Sequence, residues 1–107
     1  MSSFEYKLSE GVYSLYDGEE MLTEAGGTVA IAYSEDDVVC LHKHGSPKAV
    51  YGWYEMARNK YQEAGFGEYA DRLKVVEGKF SVEDLNKIIN NTGFLELWLK
   101  RNSFLGS

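Results

Sequence analysis

The sequence predicts an α+β protein in which an antiparallel N-terminal β-meander of about four strands is followed by about three helices. The first 44 residues contain short apolar stretches separated by turn residues, whereas the remainder has apolar residues at helical spacing behind recognisable N-caps. Strands that come first and helices that follow are typical of the α+β class. Because 107 residues is a common length for one domain, we predict a single domain over residues 1–107.

The first strands follow from alternation and from one turn dipeptide. Residues 4–8 alternate apolar and polar side chains, which indicates an additional half-buried strand at the N-terminus. Residues 12–16 and 20–22 flank Asp17-Gly18, a dipeptide that favours a tight hairpin turn. The sequence therefore predicts a hairpin centred on this dipeptide.

A second pair of strands follows Gly26-Gly27. Residues 28–33 and 38–42 are rich in apolar and β-branched side chains, and the polar residues 34–37 join them. Such short connections cannot cross over a sheet, so neighbouring strands must run antiparallel. Residues 73–76 are apolar enough to form one further short strand.

A long helix is predicted from residue 47. Ser46 is a favourable N-cap, and Pro47 occupies the first helical position, where its missing N–H is not needed. Gly65 supplies a C-terminal stop. The helix face that we expect to be buried consists of Val50, Tyr54, Ala57, Tyr61 and Ala64.

Two shorter helices complete the prediction. Ser81 begins a variant of the capping box, with Phe80 and Leu85 at the positions of a hydrophobic staple. This helix should end near Asn90-Asn91, and Thr92 is expected to cap the last helix. The apolar positions of the last helix are Phe94, Leu95, Trp98 and Leu99, so Trp98 is expected in the core.

The charge of the chain is concentrated in its N-terminal part. The formal net charge is −6, which argues against direct binding to nucleic acid, where clustered cations must neutralise phosphates. Residues 1–40 hold nine acidic residues and one basic residue, whereas residues 41–107 hold eight acidic and ten basic residues. This charge either only keeps a sheet face and its turns solvated, or it forms a surface that meets a protein partner with a basic surface.

The chain is predicted to be cytoplasmic, without a membrane segment and without a cofactor. Cys40 is the single cysteine, so no internal disulfide can form. No apolar stretch approaches the roughly 20 residues needed to span a bilayer. Residues 1–7 lack the basic and then apolar layout of a signal peptide.

The sequence contains few features of a catalytic site, and we predict that the protein is not an enzyme. Cys40 lies in the apolar run 38–41, where a buried and inert thiol is expected. If the strand is regular, Cys40, His42 and His44 share one face, but this spacing is not a familiar zinc pattern. No metal site is therefore predicted. The carboxylate pairs fall at hairpin turns exposed to water, which provide neither the burial nor the close partners that acid–base catalysis needs.

The predicted partner-binding residues are acidic turn residues and one aromatic residue. Tyr51 lies off the apolar face of the long helix, and exposed tyrosines are typical anchors of protein interfaces. The acidic candidates are Asp17, Glu19, Glu20, Glu35, Asp36 and Asp37. The first functional hypothesis is a small non-catalytic regulator or inhibitor that docks on a larger protein through this surface. Its target would be a nucleic-acid-handling or defence complex, as in phage–host conflict.

The alternative hypothesis is a small-ligand protein that binds a phosphate, nucleotide or carboxylate at the strand-to-helix turn. Backbone N–H groups at the start of a helix favour an anion. Gly45 allows close approach and Ser46 offers a hydroxyl, while His44 and Lys48 can add positive charge. Pro47 removes one donor, and the motif is neither a Walker loop nor a dinucleotide fingerprint.

Overall fold

A computed structural model describes residues 4–102, at position 92 by the backbone alone. The strands are β1 (Phe4–Ser9), β2 (Val12–Asp17), β3 (Glu20–Gly26), β4 (Val29–Ser34), β5 (Cys40–Gly45) and β6 (Leu73–Gly78). The helices are α1 (Pro47–Glu63), α2 (Gly67–Arg72), α3 (Val82–Asn90) and α4 (Thr92–Arg101). The α+β class is confirmed, with strands preceding most of the helices. The further strand predicted at residues 73–76 is also present, as β6.

The N-terminal strands divide between two antiparallel sheets of three strands each. The first sheet has the order β1-β2-β3 and is a meander, whereas the second has the order β5-β4-β6. In the first sheet, Glu10 and Gly11 both have positive φ angles, of 52° and 78°, as a two-residue type I′ turn requires. Asp17 pairs with Glu20, so the next turn is centred on Gly18 and Glu19, one residue later than predicted.

The second sheet is built around β4. This strand runs antiparallel to both neighbours, so β5 and β6 are parallel to each other and are joined by a crossover through α1 and α2. All five residues from Val29 to Tyr33 are buried, because both faces of the strand are covered. The apolar run in the sequence reflects this two-sided burial.

One face of the second sheet packs against α1. Ala30 and Ala32 of β4 pack against Val50 of α1. Trp53 of α1 and Val75 of β6 are partly buried and pack around them. The small side chains of the two alanines let the helix approach the strand closely.

The buried face predicted for α1 is only partly correct. Val50 is the one fully buried residue of this helix, and Tyr61 and Ala64 are exposed. Covering a small cluster needs only the N-terminal half of a 17-residue helix. The C-terminal half therefore leaves its apolar side chains accessible.

The opposite face of the second sheet holds the main core. Val29, Ile31 and Tyr33 from β4 belong to it. They share this cluster with Leu85 and Ile88 of α3 and with residues of α4 and of the first sheet. Among residues 4–102, no helix combines the length and apolarity needed to cross a membrane.

The helix boundaries agree with the capping residues, with two differences. The Oγ atom of Ser81 accepts from the N–H of Asp84 at 3.1 Å, which confirms the predicted cap of α3. The N-cap of α4 is Asn91 and not Thr92, because Asn91 Oδ1 accepts from the N–H of Gly93 at 3.1 Å. The short helix α2 was not predicted, since its N-cap, Phe66, offers no side-chain acceptor.

Two buried tyrosines and hydrogen bonds from α3 join the first sheet to the rest of the molecule. Tyr6 is fully buried, and the hydroxyl of Tyr13 donates to the backbone oxygen of Phe80. Asn86 of α3 pairs with the outer edge of β1: its Oδ1 accepts from Tyr6 N at 2.6 Å, and its Nδ2 donates to Tyr6 O at 3.1 Å. The amide of Asn86 thus replaces a neighbouring strand.

We expect Asn86→Ala to lower the free energy of unfolding by about 1–3 kcal/mol, because it leaves two backbone groups of Tyr6 without their partners. Asn59→Ala removes an exposed asparagine of α1 and should stay within about 0.5 kcal/mol of the parent. Urea denaturation followed by circular dichroism measures both values. Equal stabilities for the two variants would contradict the role given to Asn86.

Candidate functional site

The six predicted acidic residues form two separate groups. Glu35, Asp36 and Asp37, here called the acidic turn, lie between β4 and β5 of the second sheet. Asp17, Glu19 and Glu20 lie at the β2–β3 turn of the first sheet. Tyr51 is exposed in α1, which begins at the end of β5 that lies away from the acidic turn. The structure therefore groups Tyr51 with neither set.

The acidic turn lies next to α2, and Arg72 joins the two. Ser34 pairs with Leu73 at the start of β6, and the N–H of Glu35 donates to the backbone oxygen of Arg72 at 2.9 Å. Arg72 Nη1 lies 3.4 Å from Asp36 Oδ2, and its guanidinium lies 5.2 Å from the ring centroid of Tyr69. One arginine thus contacts both a carboxylate of the turn and an aromatic ring of α2.

Three exposed aromatic residues, Tyr61, Phe66 and Tyr69, form what we call the aromatic corner at the junction of α1 and α2. The ring centroid of Tyr69 lies 5.8 Å from that of Phe66 and 6.2 Å from that of Tyr61. Their side chains are exposed by 37 to 53%. These rings contact each other but leave a large part of their apolar surface in water.

The local sequence explains why these rings meet. Gly65 has a φ angle of 86°, and α1 ends there in a Schellman motif. The N–H of Phe66 donates to Tyr61 O at 2.7 Å, and the N–H of Gly65 donates to Gln62 O at 3.1 Å. This motif places the residue after the glycine beside the residue five positions earlier. Phe66 and Tyr61 are the two residues concerned.

Arg58 fixes α2 against α1. Its Nη1 donates to Ala70 O at 2.7 Å, and its Nη2 lies 3.6 Å from Asp71 Oδ1. The guanidinium also lies 5.6 Å from the ring centroid of Tyr54. Because Arg58 bonds α2 to α1 and Arg72 bonds it to the acidic turn, contacts from two elements hold the aromatic corner in place.

The acidic turn, Val38, Arg72 and the aromatic corner together form what we call the acidic–aromatic surface. Val38 follows the acidic turn directly and is 69% exposed. Aromatic and arginine side chains are enriched in protein interfaces, where they supply most of the binding energy. Sequence reasoning assigned Tyr61 to the core and gave Phe66 and Tyr69 no role. The signal it overlooked was the apolar residue directly after the C-terminal glycine of a helix.

The four residues of the predicted ligand turn do not converge on one point. His44 Nδ1 lies 2.6 Å from the hydroxyl of Tyr6, so its ring is directed into the protein. Gly45 is buried, and Ser46 Oγ accepts from the N–H of Ala49 at 3.4 Å as the helix N-cap. Ser46 and Lys48 do line one cleft, but the residue that joins them there from β5 is Lys43 and not His44.

The two histidines lie on opposite faces of β5 because the ladder with β4 shifts register. Ala32 pairs with Lys43 and Tyr33 with Leu41, which leaves His42 as the extra residue of a bulge. The ring of His42 stacks on Trp53 of α1, with centroids 5.7 Å apart. His44 faces the core on the other side of the sheet. The shared face expected for a regular strand is therefore absent.

Cys40 also differs from its expected environment. Its thiol is exposed, whereas the apolar run suggested a buried one. Val39 occupies the buried position of this stretch, and Cys40 begins an edge strand with its side chain outward. Within residues 4–102, no group of three or more histidine, cysteine or acidic side chains is arranged to hold a metal ion.

The pair formed by Tyr6 and His44 makes the core sensitive to acid. Burial raises the pKa of the Tyr6 phenol above its usual range, so its hydroxyl stays protonated. Burial, with a smaller contribution from Lys43, lowers the pKa of His44. In the tautomer of the neutral imidazole with its proton on Nε2, Nδ1 accepts the hydrogen bond of the phenol. Protonation of His44 would bury a charge and remove this acceptor.

We expect the protein to lose stability as the pH falls below about 6.5, because the unfolded chain then takes up a proton that the folded His44 resists. His44→Gln keeps a side-chain acceptor for Tyr6 but does not titrate. This variant should lose less stability between about pH 7.5 and 5.5, measured by thermal unfolding.

His42→Gln is the matched control, since it removes the exposed histidine of the same strand. It should keep the pH dependence of the parent. If His44→Gln and the parent lost equal stability over this pH range, the acid sensitivity would lie elsewhere.

The chain matches no protein-family model, no curated protein and no solved structure. The functional proposal therefore rests on the geometry of the described residues.

Proposed function

We propose that this chain is a small non-catalytic interaction protein, a regulator or inhibitor that docks on a larger protein through the acidic–aromatic surface. The observation that carries the proposal is the contact of Arg72 with both Asp36 and Tyr69, which unites exposed aromatic rings with a negatively charged turn. A surface of this composition matches a partner that has an apolar pocket beside basic side chains.

Apolar burial supplies the affinity in this proposal. Phe66 and Tyr69 are each at least half exposed, so a partner can remove a large apolar area from water. An anchoring aromatic residue typically contributes about 2 kcal/mol or more to binding. Because Arg58 and Arg72 already hold α2 in place, docking costs little conformational entropy.

Charge supplies the selectivity. The carboxylates of the acidic turn attract a basic partner and speed the encounter, in a manner that salt screens. Basic grooves are common in proteins that handle nucleic acid. A nucleic-acid-handling or defence complex, as in phage–host conflict, is therefore the partner class we propose. The cytoplasm is the proposed location, since the exposed Cys40 thiol would stay reduced there.

The double variant Phe66→Ser/Tyr69→Ser tests the aromatic corner. Affinity capture from the native host, followed by titration of the captured partner, should show binding weakened by about 30-fold or more, the equivalent of roughly 2 kcal/mol. Leu97→Ser is the control, because Leu97 is exposed to a similar degree on α4. It should bind as the parent does. Equal binding by all three proteins would contradict the proposal.

Charge reversal distinguishes the two acidic groups. Asp36→Lys/Asp37→Lys should weaken partner binding and reduce its dependence on salt, because the attractive field of the acidic turn is reversed. Glu19→Lys/Glu20→Lys changes the net charge equally but acts on the first sheet. Titration at low and high salt compares the two variants. Greater loss in the second variant would assign the partner to the other turn.

A further inference from the structure

A shallow cleft lies where β5 passes into α1. It has a volume of about 520 Å³, and its lining includes the cations Lys43 and Lys48 and the apolar side chains of Trp53 and Met56. More than half of the Met56 side chain is exposed. The cleft thus combines two cations with an accessible apolar wall.

The cleft takes its cations from a segment of the chain that has no acidic residues. The chain contains 17 acidic residues, but residues 38–54 include none, while they include Lys43, Lys48 and both histidines. Within the described part of the chain, Lys43 and Lys48 take part in no ion pair. Their charges are therefore available to an acidic group from outside.

The β2–β3 hairpin carries the complementary features at its tip. Glu19 and Glu20 are exposed carboxylates, and Met21 and Leu22 directly after them are each close to half exposed. The strand β3 forms one edge of the first sheet. The tip therefore presents two anions followed by two apolar side chains, which matches two lysines beside Trp53 and Met56.

Within one molecule, the tip of the β2–β3 hairpin does not contact the cleft. No residue of the β2–β3 hairpin lines the cleft, which lies against the other sheet. The acidic turn is a poorer match, because Asp36 is already paired with Arg72. The β2–β3 tip of a second copy therefore offers the charge and apolarity that the cleft can bind.

We infer that the protein self-associates, with the tip of the β2–β3 hairpin of one copy docked in the Lys43–Lys48 cleft of a second copy. If the contact is made reciprocally, two copies close into a pair that contains it twice. The contact joins opposite charges at the surface, so the association weakens as salt rises. It leaves the acidic–aromatic surface accessible to the partner proposed above.

Sedimentation velocity tests this inference with charge-reversed variants at roughly 10–300 µM, the range of weak micromolar association. At about 0.05 M salt the parent should sediment as more than a monomer, and at about 0.5 M it should shift towards the monomer. Lys43→Glu/Lys48→Glu and Glu19→Lys/Glu20→Lys should each be monomeric alone. An equimolar mixture of the two variants should associate again, because each cleft then meets a tip of opposite charge.

Lys60→Glu/Lys79→Glu is the matched control, because it changes the net charge as the cleft variant does but lies outside the cleft. It should associate as the parent does, and circular dichroism should show all variants folded. A monomeric parent at every concentration would overturn the inference. So would monomeric variants whose mixture stays monomeric, or a cleft variant that associates as well as the parent.

Discussion

The packing of Tyr6, which reaches from β1 of the first sheet into the main core, is the contact on which this structure depends. Its ring fills the core, its hydroxyl bonds to His44 of the second sheet, and its backbone pairs with the amide of Asn86. A three-stranded sheet is stable only if it buries a hydrophobic face or packs against another element. Tyr6 and Tyr13 supply that burial, each with its hydroxyl satisfied by a partner from another element.

The burial of β4 on both faces sets the remaining architecture. One face needs α1 as a cover and the other needs α3, α4 and the first sheet, so the chain must cross over between β5 and β6. The crossover returns through α2 to the end of the sheet where the acidic turn lies. The aromatic corner is thus brought beside the acidic turn by the path that the backbone takes around β4.

Charge and apolarity are distributed so that three surfaces have distinct chemistry. The acidic–aromatic surface combines carboxylates with aromatic rings, the hairpin tip combines carboxylates with aliphatic side chains, and the cleft combines lysines with Trp53. Exposed apolar groups beside charges of one sign are typical of interaction sites. These surfaces support the proposal that this chain works by contact with other proteins.

The sequence by itself determined features that depend on neighbours along the chain. The Ser81 cap, the start of α1 at Pro47 and the strand at residues 73–76 follow from local hydrogen bonding and local apolarity. Tertiary structure alone decided which side chains are exposed and which of them lie on the same surface. The bulge at His42 separated the two histidines, and the limited extent of the second sheet left Tyr61 exposed. Such outcomes depend on register and on what each face covers, which arise from contacts between residues distant in sequence.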